Sequence, residues 1–109
     1  MSLLPGLAEA LAAMAMRGET ATYGALAQHL GLEGPGRIAR LTDALEALME
    51  EDARGGAALR AALVIGRTSG GLPARGFFLK AEALGLFDPG RETPEAFHAR
   101  QCAAIFAKE

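Results

Sequence analysis

The longest amphipathic stretch of the chain lies between two glycine-rich turns and limits the folds that this sequence can adopt. It follows Gly34-Pro35-Gly36 and runs to about Asp52, before Gly55-Gly56. Its apolar residues recur at intervals of three, four or one, at positions Ile38, Leu41, Leu45, Leu48 and Met49. This spacing puts them on one side of an α-helix. We therefore predict that the stretch is the third and longest helix of the chain.

Three shorter elements are predicted before it. Pro5–Met16 has apolar residues at helical spacing, with a proline suited to a first turn and Gly18 at the end. The short segment Thr20–Thr22 has threonines at alternate positions and is expected to be extended. The second threonine can then cap a helix from Tyr23 to Leu30.

The segments after the long helix predict a hairpin and two more helices. The apolar run Leu59–Ile65 is typical of a strand, and the glycine-rich turn Thr68–Gly71 would lead back through a second strand at Leu72. A short helix is expected over Phe77–Leu84, and a last helix, capped by the preceding threonine, begins at Pro94.

The fold class follows from this order and from the composition. Half of the 109 residues are apolar, mostly alanine and leucine, and 22% are charged, a balance that favours one helix-rich domain over residues 1–109. Helix, short strand, helix, turn, helix, strand, loop, strand is the winged-helix order. We predict a mainly α (α+β), winged-helix-like domain with a small β-hairpin wing and extra C-terminal helices.

Charge and cysteine content limit the partners. The formal net charge of −2 attracts no polyanion, so nucleic-acid affinity would need a local basic patch. The single cysteine forms no internal disulfide, no leader-like segment follows Met1, and no apolar run reaches the roughly 20 residues that cross a bilayer. We expect a cytoplasmic protein without a membrane partner.

Acidic and basic residues are segregated along the chain. The charged residues from position 54 to position 80 are all basic, namely Arg54, Arg60, Arg67, Arg75 and Lys80, whereas positions 43 to 52 hold five acids and no base. A basic wing could neutralise phosphates of a nucleic acid. The same bases could instead pair with the acidic end of the third helix.

The third helix carries its charges against its dipole. Arg37 and Arg40 lie near its positive N-terminal end, and acids crowd its C-terminal end. An exposed arginine pair at a helix start is a good anion receptor. The alternative is that both arginines pair with Glu33 and Asp43 nearby.

The segment Glu19–Ala27, with Thr22-Tyr23-Gly24 at its centre, resembles the entry to the DNA-binding domain of alkylguanine DNA alkyltransferases and alkyltransferase-like proteins. The similarity runs from about Gly18 to Gly85. It implies a winged-helix DNA-binding domain, in which Tyr23 touches a backbone phosphate and Arg37 or Arg40 is the intercalating arginine. In that family the next strand carries the alkyl-acceptor cysteine. Here the matching stretch Ala61–Ile65 has none, so the resemblance implies duplex binding without alkyl transfer.

A closer likeness is to short bacterial proteins of no known activity. They share Thr-Tyr-Gly-x-Leu-Ala, a strand of the Ala-Leu-Val-Val type and a Gly-Phe-Phe segment, here within Gly71–Phe78. We interpret this last segment as an awkward turn whose phenylalanine pair anchors the wing to the core.

Other chemistry has weak support in the sequence. His98 and Cys102 are four residues apart on one helix, which is half of a zinc site, and no further ligands are spaced to complete it. Gly66–Gly71 lacks the order of a phosphate-binding loop. We expect no catalytic residues, no metal and no small-molecule cofactor.

The functional expectation is a non-catalytic nucleic-acid-binding module for duplex DNA, acting through the third helix and the wing. The predicted site residues are Tyr23, Arg37, Arg40, Arg67, Ser69, Arg75 and Lys80. The alternative is a protein-interaction or dimerisation module, in which the wing or the terminal helix with Phe97, Ile105 and Phe106 packs on a partner.

Overall fold

A computed structural model describes residues 4–107 of the chain. Five α-helices occur in this range: α1 (Leu7–Arg17), α2 (Tyr23–His29), α3 (Arg37–Arg54), α4 (Arg75–Ala83) and α5 (Pro94–Phe106). Two short strands, β1 (Ala21–Thr22) and β2 (Val64–Ile65), and one 3-10 turn (Arg60–Leu63) complete the order. The mainly helical prediction is confirmed.

The helix limits follow the local signals of the sequence. Gly18 adopts φ 66° and ends α1 in the left-handed conformation that glycine tolerates. The hydroxyls of Thr22 and Thr93 each accept the backbone N–H three residues on, at 3.1 Å, and so cap α2 and α5. Pro94 occupies the first turn of α5, where its missing N–H costs nothing.

The two strands pair with each other, and the predicted hairpin is wrong. β1 and β2 lie parallel, with Ala21 opposite Val64 and Thr22 opposite Ile65. Most of the run that we expected to be a strand, Arg60–Leu63, winds into the 3-10 turn. Leu72 belongs to no strand of the described chain.

The segment expected to form the wing is a closed loop. The N–H of Gly66 donates to the carbonyl of Leu72 at 2.8 Å, and Gly70 and Gly71 turn the chain with φ of 63° and 85°. Pro73, which follows Leu72, has no N–H with which to extend a ladder of hydrogen bonds between strands. The winged-helix arrangement is therefore not confirmed over residues 4–107, and the structure supports a mainly α fold with a small parallel sheet.

The core joins every helix. Its fully buried large side chains are Leu7, Leu11, Leu41, Met49, Leu59, Leu63, Val64 and Phe97. Phe97 packs between Phe77 and Phe87, with ring centroids 6.0 and 4.9 Å away, and Phe77 contacts Phe78 edge-on at 5.1 Å. The phenylalanine pair thus anchors α4 to the core, where we had expected it to anchor a wing. No helix within residues 4–107 is long and apolar enough to cross a membrane.

Candidate nucleic-acid interface

The first turn of α3 is exposed to solvent. Every residue from Glu33 to Arg40 is exposed. Ile38, which the sequence pattern assigned to the apolar stripe of this helix, is 39% exposed. Gly36 begins α3 without a side-chain cap, and the first turn contains no acid. The turn therefore presents a positive helix end and two arginines to solvent.

Arg37 lies at one side of a shallow groove that also includes Arg67. The groove has a volume of about 520 Å³ and runs between α2, the start of α3 and the loop after β2. Its lining residues are Thr22, Tyr23, Gly24, Ala25, Gln28, Arg37, Ile38 and Arg67, and no acid is among them. We call it the arginine groove. The fold brings together two predicted site residues that are far apart in the chain.

For Arg40 the sequence left two alternatives open, a free arginine or an ion pair with Glu33 or Asp43, and the structure shows neither. Its Nη2 donates to the backbone carbonyl of Glu33 at 2.9 Å, and it forms no ion pair with the carboxylate of that residue or of Asp43. A carbonyl holds the guanidinium in place without neutralising it. Arg40 therefore keeps its full charge beside Arg37 on the exposed turn.

Tyr23 connects the arginine groove to the start of α4. Its hydroxyl oxygen accepts the backbone N–H of Ala74 at 3.0 Å. Burial raises the pKa of Tyr23, and the Ala74 N–H offsets part of that rise by favouring the phenolate. The side chain is therefore protonated at neutral pH, and its hydroxyl oxygen is engaged by the start of α4.

Arg75 begins α4 next to this hydrogen bond. It is exposed and forms no ion pair. An acid lies close by, however, because a Cβ on the neighbouring Gly76 would be 4.0 Å from Oε2 of Glu46. Glu46 also shares a small cleft with Tyr23 and Phe77. Arg75 therefore starts a helix close to an acid, whereas the lining of the arginine groove contains none.

Ser69 is part of the closed loop after β2. Its N–H points to the carbonyl of Gly66, its own carbonyl accepts the N–H of Leu72 at 3.2 Å, and the side chain is half-buried. A Cβ on Gly66 would clash with its hydroxyl oxygen. Close packing of Ser69 and Gly66 shapes the loop that carries Arg67.

Lys80 is not part of an unpaired cationic surface, contrary to the expectation. Its ammonium binds the carboxylate of Glu50 on α3, and this contact lowers the pKa of Glu50. Arg60 likewise pairs with Asp52 and Glu51 at 2.8 Å each. For these two bases the second reading of the charge segregation, pairing with the acidic end of α3, is correct.

The described basic residues therefore fall into two groups. Those in ion pairs are Arg17, Arg60, Lys80, Arg91 and Arg100. Within residues 4–107, those without one are Arg37, Arg40, Arg54, Arg67 and Arg75. Four of the five unpaired residues are predicted site residues.

His98 and Cys102 are held by one backbone carbonyl. Nε2 of His98 lies 2.8 Å from the carbonyl oxygen of Ala62 and 3.3 Å from Sγ of Cys102. A carbonyl only accepts, so Nε2 carries a proton and is unable to take one from the thiol. Burial raises the pKa of the Cys102 thiol. No three potential ligands within the described chain are grouped to hold a metal ion.

No protein-family model, no curated protein and no solved structure matches this chain. The resemblance to alkyltransferase-like proteins thus stays a prediction from sequence motifs.

Five lining residues of the groove were not among the predicted site residues: Thr22, Gly24, Ala25, Gln28 and Ile38. Gly24 and Gln28 are four residues apart on α2 and therefore on the same side of that helix. This spacing was visible in the sequence. The proximity of Arg67 to Gly24 and Gln28 depends on the path of the loop after β2, and it was not visible in the sequence.

Proposed function

We propose that the protein is a non-catalytic module that binds duplex DNA through the arginine groove and the exposed first turn of α3. The observation that carries the proposal is the charge of this face. Arg37 and Arg67 line one acid-free groove, and neither forms an ion pair. An unpaired guanidinium is the side chain best suited to phosphate, because its planar donors match the phosphate oxygens.

The positive charge of this face offsets the unfavourable negative net charge of the whole chain. The whole chain has a formal net charge of −2, which repels a polyanion at long range. At a physiological ionic strength such repulsion is screened beyond about 8 Å. Arginines in direct contact with phosphates then decide the affinity, and Arg40 adds a third unneutralised charge on the same exposed turn.

The shape of α3 supports the same proposal. All four residues of its first turn are exposed, whereas Leu41, Leu45 and Leu48 further along the helix are buried. A helix whose start is exposed in this way can enter a groove of a duplex while the body of the protein stays outside. The short preceding helix, α2, supplies the opposite wall of the arginine groove.

Fluorescence anisotropy with a labelled duplex tests the proposal. Binding through about three arginine–phosphate contacts predicts a slope near −3 in a plot of log affinity against log salt concentration. Arg37→Ala and Arg67→Ala should each weaken binding and reduce the slope by about one. Arg91→Ala is the matched control, because this exposed arginine pairs with Asp88 elsewhere. Absence of binding at about 25 mM salt, well below physiological screening, would refute the proposal.

A second candidate function is protein interaction, and it has its own observation. Met16 is 90% exposed and lines a groove of about 530 Å³. Alanines of α1, of α5 and of the segment after α3 also line this groove, together with the ion pair of Asp52 and Arg60. Of the three residues expected to have this role, Phe97 is fully buried, Ile105 is 8% exposed and lines this groove, and Phe106 is half-buried. Light scattering of the wild type and of Met16→Glu tests this function. A wild type that is monomeric at every concentration would count against self-association.

A further inference from the structure

Gly24 lies on the exposed side of α2, and the fold gives no reason for a glycine at this position. Its φ is not positive, and a Cβ built there would meet no atom within 4 Å. All 14 glycines of the chain lie within the described residues. Nine of them have a positive φ.

At the other four glycines a Cβ would have a neighbour within 4 Å, namely at Gly55, Gly66, Gly76 and Gly90. The nearest neighbour is tight at Gly66 and Gly90 and an ordinary contact at Gly55 and Gly76. Gly24 is thus the one glycine without a positive φ at which a Cβ would meet only open space. Glycine in a helix is less favourable than alanine because it loses more conformational freedom on folding. A helix glycine with open space beside it lets a ligand approach the backbone closely, and we attribute Gly24 to such a requirement from outside the chain.

The position of Gly24 in the arginine groove suggests that requirement. Gly24 and Gln28 lie on one side of α2, with Arg37 and Arg67 as neighbours in the lining of the groove. Without a side chain at position 24, the surface of the groove stays at the level of the helix backbone. A bound chain can then approach α2 closely while both guanidiniums reach it.

We infer that the sugar-phosphate backbone of one DNA strand lies along the arginine groove, in contact with the side of α2 at Gly24. This inference rests on the proposed function and specifies which part of the duplex the groove holds. The groove contains one aromatic residue, Tyr23, which is half-buried and bound to Ala74, so it offers no platform for stacked bases. A backbone contact predicts that affinity changes at this position are equal for all base sequences.

Two substitutions test the inference. Gly24→Ala should raise the Tm, by about 4 °C on typical values for a domain of this size, and weaken duplex binding by about threefold. Gly24→Leu should weaken binding by about tenfold or more, because its longer side chain fills the groove. Both reductions should be the same for two duplexes of unrelated sequence.

Gly76→Ala is the matched control. It also lies in the first turn of a helix, where a Cβ makes only an ordinary contact with Glu46. We expect it to raise the Tm without changing affinity. Opposite effects of Gly24→Ala on stability and on binding would therefore be specific to the groove.

The outcomes separate the two proposals. If the wild type binds duplex and Arg37→Ala weakens binding, but Gly24→Leu binds as the wild type does, the strand does not pass over Gly24 and only this inference fails. A lower Tm for Gly24→Ala would also overturn it, because the fold itself would then require the glycine. If the wild type does not bind at low salt, the proposed function fails together with it.

Discussion

Asp52 carries a buried charge, and we expect its removal to lower the stability of the fold substantially. Its carboxylate is 6% exposed at the end of α3 and accepts both the backbone N–H of Arg60, at 3.0 Å, and the guanidinium of the same residue, at 2.8 to 3.1 Å. These contacts fix the start of the 3-10 turn that leads to β2. Asp52→Asn keeps the size of the side chain. It removes the charge, and it replaces one acceptor oxygen by an amide that faces the guanidinium.

The expected loss follows from the exposure of the two partners. Breaking a fully buried ion pair on one side costs about 3–5 kcal/mol. Arg60 is 31% exposed and keeps its contact with Glu51, so solvent compensates part of the loss. The carbonyl of the new asparagine can still accept the backbone N–H. We therefore expect Asp52→Asn to lower the free energy of unfolding by about 2 kcal/mol, which corresponds to a fall in Tm of about 8 °C.

Urea unfolding followed by circular dichroism measures this loss. Glu51→Gln is the control, because Glu51 binds the same guanidinium at 2.8 Å but its side chain is 50% exposed. This substitution should change the free energy of unfolding by less than about 0.5 kcal/mol. Equal losses for the two variants, or a loss below about 0.5 kcal/mol for Asp52→Asn, would refute the argument from burial.

Two further predictions concern the contacts of α5. Gln101 is buried, and its Oε1 accepts the N–H of Leu59 at 2.9 Å. Gln101→Leu should leave that N–H unsatisfied and lower the free energy of unfolding by about 1–3 kcal/mol. Urea unfolding measures the loss, and an unchanged midpoint would contradict the prediction. Burial raises the pKa of the Cys102 thiol above its usual 9.0, so iodoacetamide should alkylate it more slowly at pH 7.5 than it alkylates a free cysteine. Because the unfolded thiol ionises first, stability should also fall as the pH rises through 9 toward the folded pKa, and Cys102→Ala should reduce this fall.

Local signals in the sequence predicted most of the helical structure. Each of these signals acts between residues that are close in sequence. They are the threonine caps of α2 and α5, the glycine that ends α1, and the spacing of Leu41, Leu45 and Leu48 on α3. The interactions that they report are hydrogen bonds and packing along one helix, and these are the same in any fold. The four helices whose limits depended on such signals begin or end close to the expected residues.

The hairpin was predicted from composition and failed for a tertiary reason. Val64 and Ile65 favour an extended conformation, but a short strand takes whichever partner the fold provides. Here β1 occupies that position in parallel, because α2 and α3 bring the two segments side by side. Pairing between segments so far apart in sequence leaves no local trace.

The sequence by itself determined which charges the protein carries and the helices on which most of them lie, including the two arginines at the start of α3. Only the tertiary structure decided which charges are free. Arg60 and Lys80 are neutralised by acids of α3 that the fold brings to them, whereas a loop carries Arg67 to Arg37 in a groove whose lining contains no acid. The physical reason is the short range of these interactions. An ion pair requires contact within about 4 Å, and contact between distant residues is set by the packing of the core.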